Sequence, residues 1–476
     1  MNRKFSIGEE PDWTPSAEFV ETTNAAWLMR RVGVNSFDEL HAWSVQNRSA
    51  YWALAIERLG IVLKRPYEDI LNLADGVEAP RWLEGARLNI VESCFTAPES
   101  ATAIVHRTES GVTETMTFGD LARLTNRVAN GLARHGHGPG TAVGIYMPMT
   151  AESVAIYLGI VKAGCVAVGI ADSFRPPEIA TRLRLAGVPV VFTQDVSLRN
   201  GNAHPLYECV VEAGAPAAIV LPAGDHLRVS LRAADRSWAD FLGREAEGEP
   251  VHGVPSTPIN ILFSSGTTGD PKAIPWTQTT PIKCAADAHF HQDVRPGDVL
   301  VWPTNLGWMM GPWLIFASLI NQAAMGLYSG SPGGAEFCRF VQDAKATMLG
   351  VIPSLVKTWR ASDATRGLDW TTIRTFSSTG ECSNVADMRW LMGTAGGRPV
   401  VEYCGGTEIG GGYITGTVAK ECFAGTFNTP ALGLDFLVLD ENGLPADQGE
   451  IYLVPPSIGL SNTLLNKDHH ASYFEE

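Results

Sequence analysis

Short apolar runs alternate with helical spacing between residues 101 and 420, and this alternation constrains the fold more than any other feature of the chain. Runs 103–105 and 114–118 read as a hairpin, and 119–135 places Leu121, Leu124, Val128 and Leu132 at helical intervals. Runs 143–147, 166–170 and 188–193 read as short buried strands. A second series follows at 259–263, 299–302, 324–328, 348–351, 373–376 and 400–404. Strands separated by helices of this length predict a mostly parallel sheet covered on both faces. The expected class is therefore α/β, with two doubly wound, mostly parallel sheet subdomains at 101–255 and 256–420. Residues 1–100 read as a mainly helical cap with tryptophans at 13, 27, 43, 52 and 82. From 421 to 476 the pattern changes to strands without helices, and 434–439, a turn at 440–443 and 450–454 read as part of a small antiparallel β-barrel.

Three of the apolar runs end in loops of glycine and hydroxyl residues. The first loop is Ser264-Ser265-Gly266-Thr267-Thr268-Gly269-Asp270-Pro271-Lys272. Its glycines let the backbone turn N–H groups toward an anion, its hydroxyls add donors, and Lys272 adds a point charge. It is not a Walker A loop: no Gly-Lys-Ser/Thr follows at the required spacing, and Pro271 restrains the chain before the lysine. An ordinary surface turn is the plain alternative. The second loop is Ser378-Thr379-Gly380-Glu381, which read alone is a strand-to-helix turn with an acid near a helix N-terminus. The third is Glu402-Tyr403-Cys404-Gly405-Gly406-Thr407-Glu408, before the glycines at 410–412. A hard cation beside nucleotide phosphates needs a carboxylate such as Glu408, although a salt-bridged acid in a Gly-rich loop is the simpler reading of one such motif.

The net charge of −15 argues against nucleic acid or an anionic membrane surface as the main partner. The eight cysteines are scattered without a Cys-x-x-Cys pair, which points to reduced, buried thiols rather than zinc or disulfides. The N-terminus has no apolar core of a signal peptide, and 154–171, the most membrane-like run, carries Lys162 and two glycines. A cytoplasmic protein without a membrane span is expected. His289 and His291 could suggest a metal pair, but on a helical stretch they point to different faces, so a solvated or core role is expected.

The loop at 264–272 resembles the signature of the AMP-forming acyl-CoA synthetases, within the adenylate-forming enzymes, and the other two loops follow in that family's order and spacing. Segment 81–89 (Arg81-Trp82-Leu83-Glu84-Gly85-Ala86-Arg87-Leu88-Asn89) resembles the N-terminal cap of acetyl-CoA-synthetase-type enzymes, with a generic helix around a buried Trp as the alternative. The resemblance implies the large N-terminal domain of an adenylate-forming enzyme, with the loops converging at the carboxyl ends of the strands. It implies a carboxylate attacking the α-phosphorus of ATP to give acyl-AMP and pyrophosphate, after which the thiol of coenzyme A displaces AMP. Its cofactors and substrates are ATP, Mg2+, CoA and a carboxylic acid. Thr267, Thr268 and Lys272 are then assigned to the β,γ-phosphates, Thr407 to phosphate, and Glu408 to Mg2+. Gly380 and Glu381 fall on the adenine side, and Ser264, Ser265, Gly266, Gly269, Glu402 and Tyr403 complete the ATP site. Thr267, Lys272 and Glu408 are the expected catalytic residues; no nucleophilic side chain is required.

Segment 305–311 resembles the acyl-pocket segment of acetyl-CoA synthetase, so Trp308, Met309, Met310, Thr379 and Gly405 are expected to line the acyl pocket. Gly405 falls where that enzyme carries a pocket-closing Trp, which predicts an acid larger than acetate unless another bulky residue compensates. Two departures are evident. Ala273 stands where the family carries Gly, and the chain ends at Glu476, before the family's ribose-binding Asp, its hinge and its small mobile C-terminal domain with a lysine. Loss of such groups costs about 100 to 1,000-fold per donor, so adenylation by this chain alone is expected to be impaired. A catalytically silent nucleotide- or acyl-binding protein and a ligase loading a carrier protein are the competing readings.

Overall fold

The computed structural model describes residues 10–109, 111–199, 201–264 and 269–475. The N-terminal cap is built of helices Ala17–Thr22, Asn24–Val32, Phe37–Gln46 and Arg48–Leu59. Ser16, Thr23 and Ser36 cap the first three through side-chain oxygens that accept from backbone N–H groups of the first turn. Segment 81–89 is not helical: Arg81–Glu84 is a strand paired antiparallel with Asp69–Asn72. Leu83 has φ 52°, a left-handed conformation that a right-handed helix excludes. The burial expected for Trp82 is met, with its ring edge-on to the fully buried Trp52 at 6.3 Å.

The first sheet has seven strands in the order Arg236–Ser237, Ala218–Leu221, Val190–Gln194, Ala142–Tyr146, Val166–Gly169, Pro258–Phe263, Ala273–Thr277. All neighbours are parallel except the last pair. The second sheet has nine strands, with Val400–Gly406, Thr375–Ser378, Met348–Val351, Val299–Val301 and Ala324–Ser329 as its parallel centre and antiparallel pairs at both edges. Strand pairing crosses the boundary read at 255/256. The strand that feeds the 264–272 loop joins the first sheet, pairing Ile261 with Val168, whereas the hairpin Thr102–Thr108/Thr113–Thr117 joins the second through Ala324–Ser329. Local patterning sets which residues form strands; their neighbours are set by long-range packing.

Two helices lie deep in the molecule. Every residue of Thr280–Phe290 is buried, and the neighbouring Met310–Leu319 is buried from Gly311 onward. The membrane-like run 154–171 is, as expected, part of a packed helix (Ala151–Lys162) followed by a strand (Val166–Gly169). Among the described residues, no helix is long and apolar enough to cross a membrane. Beyond 420, Asp435–Leu439 and Glu450–Val454 pair as an antiparallel hairpin, as the alternation predicts. The tail is not simply polar coil: His469–Tyr473 forms one helical turn capped by Asp468, which accepts from the Ala471 N–H at 2.8 Å.

Candidate active site

The loops at the carboxyl ends of four strands of the first sheet and five of the second converge on one cavity of about 1050 Å³. This is where open α/β sheets bind ligands. Ser264 reaches it from the first sheet and Thr379, Gly380, Glu381, Gly405, Gly406 and Thr407 from the second. Trp308, Met309 and Met310 line it as well, so the expected acyl residues share one space with part of the expected nucleotide set, whereas Gly269, Lys272, Glu402, Tyr403 and Glu408 are not among its lining residues.

The 264–272 loop is the connection of an antiparallel strand pair, closed by the Ser264 N–H donating to the Lys272 carbonyl at 3.1 Å. Ser265, Gly266, Thr267 and Thr268, which carry most of the expected phosphate contacts, lie outside the described residues. The base of the loop is pinned by Asn466, which accepts from the Ala273 N–H at 2.8 Å and donates to the Pro271 carbonyl at 2.9 Å. Nothing in the local sequence singles out this asparagine, 193 residues away.

Gly380 has φ +92°, which favours glycine, and this turns the chain so that Glu381 faces back onto helix Pro353–Ser362. Glu381 accepts from the N–H and hydroxyl of Ser354 at 2.9 and 3.1 Å. The acid thus satisfies a donor that the helix itself leaves free. Thr379 donates its hydroxyl to the Tyr403 carbonyl at 2.5 Å, joining this loop to the next strand.

On strand Val400–Gly406, Glu402 is 5% exposed. One of its oxygens accepts from Ser383 at 2.8 Å, while Oε1 has no protein partner. Burial, opposed by the Ser383 and Ser378 hydroxyls, pushes its carboxyl up to about 7. Tyr403 departs from its expected place in the ATP site. Its side chain is in the core, where its hydroxyl donates to Asp287 at 2.7 Å and accepts from the Trp313 indole at 3.0 Å. The Gly405 Cα lies so close to the facing strand that a Cβ would sit 2.0 Å from the Gly411 carbonyl oxygen. Its lack of a side chain is therefore a condition of strand pairing, and not only a vacated indole site.

Thr407 and Glu408 sit in the turn after this strand. The Thr407 carbonyl accepts from the Trp276 indole at 2.8 Å, and the Glu408 carbonyl from the Ser461 N–H at 2.7 Å, so an edge strand of the first sheet and the C-terminal segment hold the turn. Glu408 and Lys272 meet through a residue that the sequence reading missed. Tyr473 donates its hydroxyl to Glu408 at 2.7 Å, and the Lys272 ammonium lies 4.1 Å from the centre of its ring. Burial and the Glu408 carboxylate raise the Tyr473 phenol above its ordinary range. On the acyl side, Asn305 donates to the Met147 carbonyl at 3.2 Å and accepts from the Gly307 N–H at 2.8 Å. This holds Trp308 at the rim, 46% exposed and edge-on to Phe174 at 5.6 Å.

His289 and His291 are core residues. Burial pushes both down to about 4, and both ring nitrogens of each find partners, in Asn321 and Arg58 for His289 and in Gly416 and Leu432 for His291. Among the described residues no cluster of three or more His, Cys, Asp or Glu could hold a metal by protein ligands alone. A single carboxylate fits Mg2+, which keeps waters and substrate phosphates as its other ligands.

Residues 91–460 match the family described as AMP-binding enzyme, and residues 37–94 match the acetyl-coenzyme A synthetase N-terminus. The chain is 45% identical to "Probable acyl-activating enzyme 17, peroxisomal" of Arabidopsis thaliana, over 98% of this chain and 69% of that protein. It is 43% identical to hexanoyl-CoA synthase of Cannabis sativa, with the same two shares. Its fold superposes on acetoacetyl-CoA synthetase from Streptomyces lividans with a TM-score of 0.91 at 26% identity, covering 98% of this chain and 76% of that one. Loop order, cavity and relatives agree: the chain belongs to the AMP-binding enzyme family, as an AMP-forming acid–CoA ligase with ATP and CoA as its substrates.

Proposed function

We propose that the cavity binds ATP and a medium-chain carboxylic acid side by side and forms the acyl-adenylate, from which CoA takes the acyl group. The observation that carries this reading is that Ser264, Gly380, Glu381 and Thr407, one or more from each of the three loops, line a single cavity with the Trp308–Met310 wall. Two anions must be brought together in line, so charge neutralisation and positioning supply most of the rate. Lys272 holds the β,γ-phosphates, with Thr267 and Thr268 as further donors, and Thr407 contacts phosphate. Glu408 would hold Mg2+, which neutralises phosphate charge when bound. Gly380 and Glu381 border the adenine. Tyr473 must release Glu408 and Lys272 before ATP can use them.

An acid larger than acetate is favoured by the lack of a side chain at Gly405 and by the apolar residues of the cavity. Beside the two methionines, the cavity carries Trp302, Leu327, Phe337 and Ile352, an apolar lining suited to an alkyl chain. One relative is itself named for a six-carbon acid. CoA is preferred to a carrier protein because the N-terminal cap matches that of acetyl-coenzyme A synthetase. The peroxisomal name of the Arabidopsis relative supports a peroxisomal compartment as an alternative to the cytoplasmic one expected from sequence. Carboxylate-dependent ATP–pyrophosphate exchange tests the reading. Acid-dependent exchange is expected at a reduced rate for this chain alone, falling about 100 to 1,000-fold further in Lys272→Ala and in Glu408→Gln. Exchange that ignores both substitutions contradicts it.

A further inference from the structure

We propose that Asp287, paired with Lys283, is a positioning residue that sets the Thr407–Glu408 turn against the acyl wall; the proposal rests on the acid-activation reading. Neither residue lines the cavity. Both lie on the buried helix Thr280–Phe290, with side chains 1% and 0% exposed and an ion-pair distance of 2.5 Å. A helix buried on every side has no need of two charges for stability. Buried ion pairs are often replaceable by apolar residues without loss, because desolvation offsets the attraction. What this pair provides is a set of directed contacts.

Asp287 Oδ1 takes the lysine, and Oδ2 accepts from the Tyr403 hydroxyl at 2.7 Å and from the Gly412 N–H at 2.9 Å. One carboxylate therefore grips both strands of the 400–415 hairpin, whose connecting turn carries Thr407 and Glu408. The hairpin is shaped to admit it: a Cβ on Gly411 would lie 2.5 Å from Oδ2. Tyr403 extends the network in two directions. Its hydroxyl accepts from the indole of Trp313, one turn beyond Met310 on helix Met310–Leu319, which begins at the acyl wall. Its carbonyl accepts from Thr379, next to Gly380 and Glu381. The expected adenine loop, the magnesium-carboxylate turn and the acyl wall are thus referenced to a single acid, and small shifts between them would degrade an in-line geometry.

The test uses nonhydrolysable acetyl- and hexanoyl-sulfamoyl-adenosine, titrated calorimetrically into the whole chain, with thermal unfolding recorded alongside. In the apolar replacement Lys283→Met with Asp287→Leu, unfolding shifts to lower temperature because the Gly412 N–H and the Tyr403 hydroxyl lose their acceptor, while in the folded variant hexanoyl affinity falls about tenfold and the hexanoyl-to-acetyl ratio falls with it. Tyr403→Phe keeps the ring and removes one hydroxyl. It gives a smaller loss in the same ratio, and reads the network even if the double variant does not fold. An unchanged ratio in folded Tyr403→Phe, or in a folded double variant, overturns the proposal. Failure of the parent chain to bind either ligand instead overturns the acid-activation reading on which it rests.

Discussion

A carboxyl group buried beside two serines, with one oxygen unpartnered, makes Glu402 a residue whose charge the fold resists. Burial is the main cause of its rise from 4.5 to about 7. The folded chain therefore holds that proton more tightly than the unfolded chain does. The associated stability is fully present below about 4.5 and is lost as pH rises through 7. Glu402→Gln, which keeps an acceptor for Ser383, should be more stable than the parent at pH 8 by up to about 3 kcal/mol. At pH 5 the two should unfold together. Thermal unfolding across that range checks it, and parallel curves would show that the group ionises without cost. The acid was legible in the sequence as part of the third loop. Its burial was not, because that comes from Ser383 and Ser378 on the neighbouring strand and loop. Tyr403 went astray for a related reason: the motif places the residue in the loop, but Asp287 and Trp313, both distant in sequence, draw its side chain into the core.

At the scale of the element, the 400–415 hairpin shows how glycines of similar appearance differ. A Cβ at Gly405 meets a backbone oxygen at 2.0 Å, whereas at Gly406 the nearest atom is Glu408 Oε2 at 3.5 Å, an ordinary contact. Backbone cannot rotate aside as a side chain can. Gly405→Ala should cost about 1–3 kcal/mol or more, and Gly406→Ala should be close to neutral. Denaturant unfolding of the two variants separates them, and equal stabilities would mean that the strands adjust freely. Individual strands and their loops were readable because alternation and turn chemistry are local. The sheet partners were not: the 258–263 strand pairs back to 167–168, and the first hairpin pairs forward to 325–329. Tyr473 and Asn466 were invisible for the same reason, since each acts across the molecule on the 264–272 loop or its neighbours.

For the whole molecule, two sheets with their carboxyl ends turned to one cavity bring Ser264, the Gly380–Glu381 turn and Thr407 into one space with an apolar wall. If the wall binds a chain, each buried methylene contributes about 0.8 kcal/mol, so four more carbons than acetate are worth about 3 kcal/mol at best. The most direct measurement is the affinity of this chain for acyl-sulfamoyl-adenosines across a series of chain lengths. The account predicts binding that tightens at least tenfold from acetyl to hexanoyl, within the roughly 100-fold that four methylenes allow. Equal or tighter binding of the acetyl compound, or no binding at all, would contradict it.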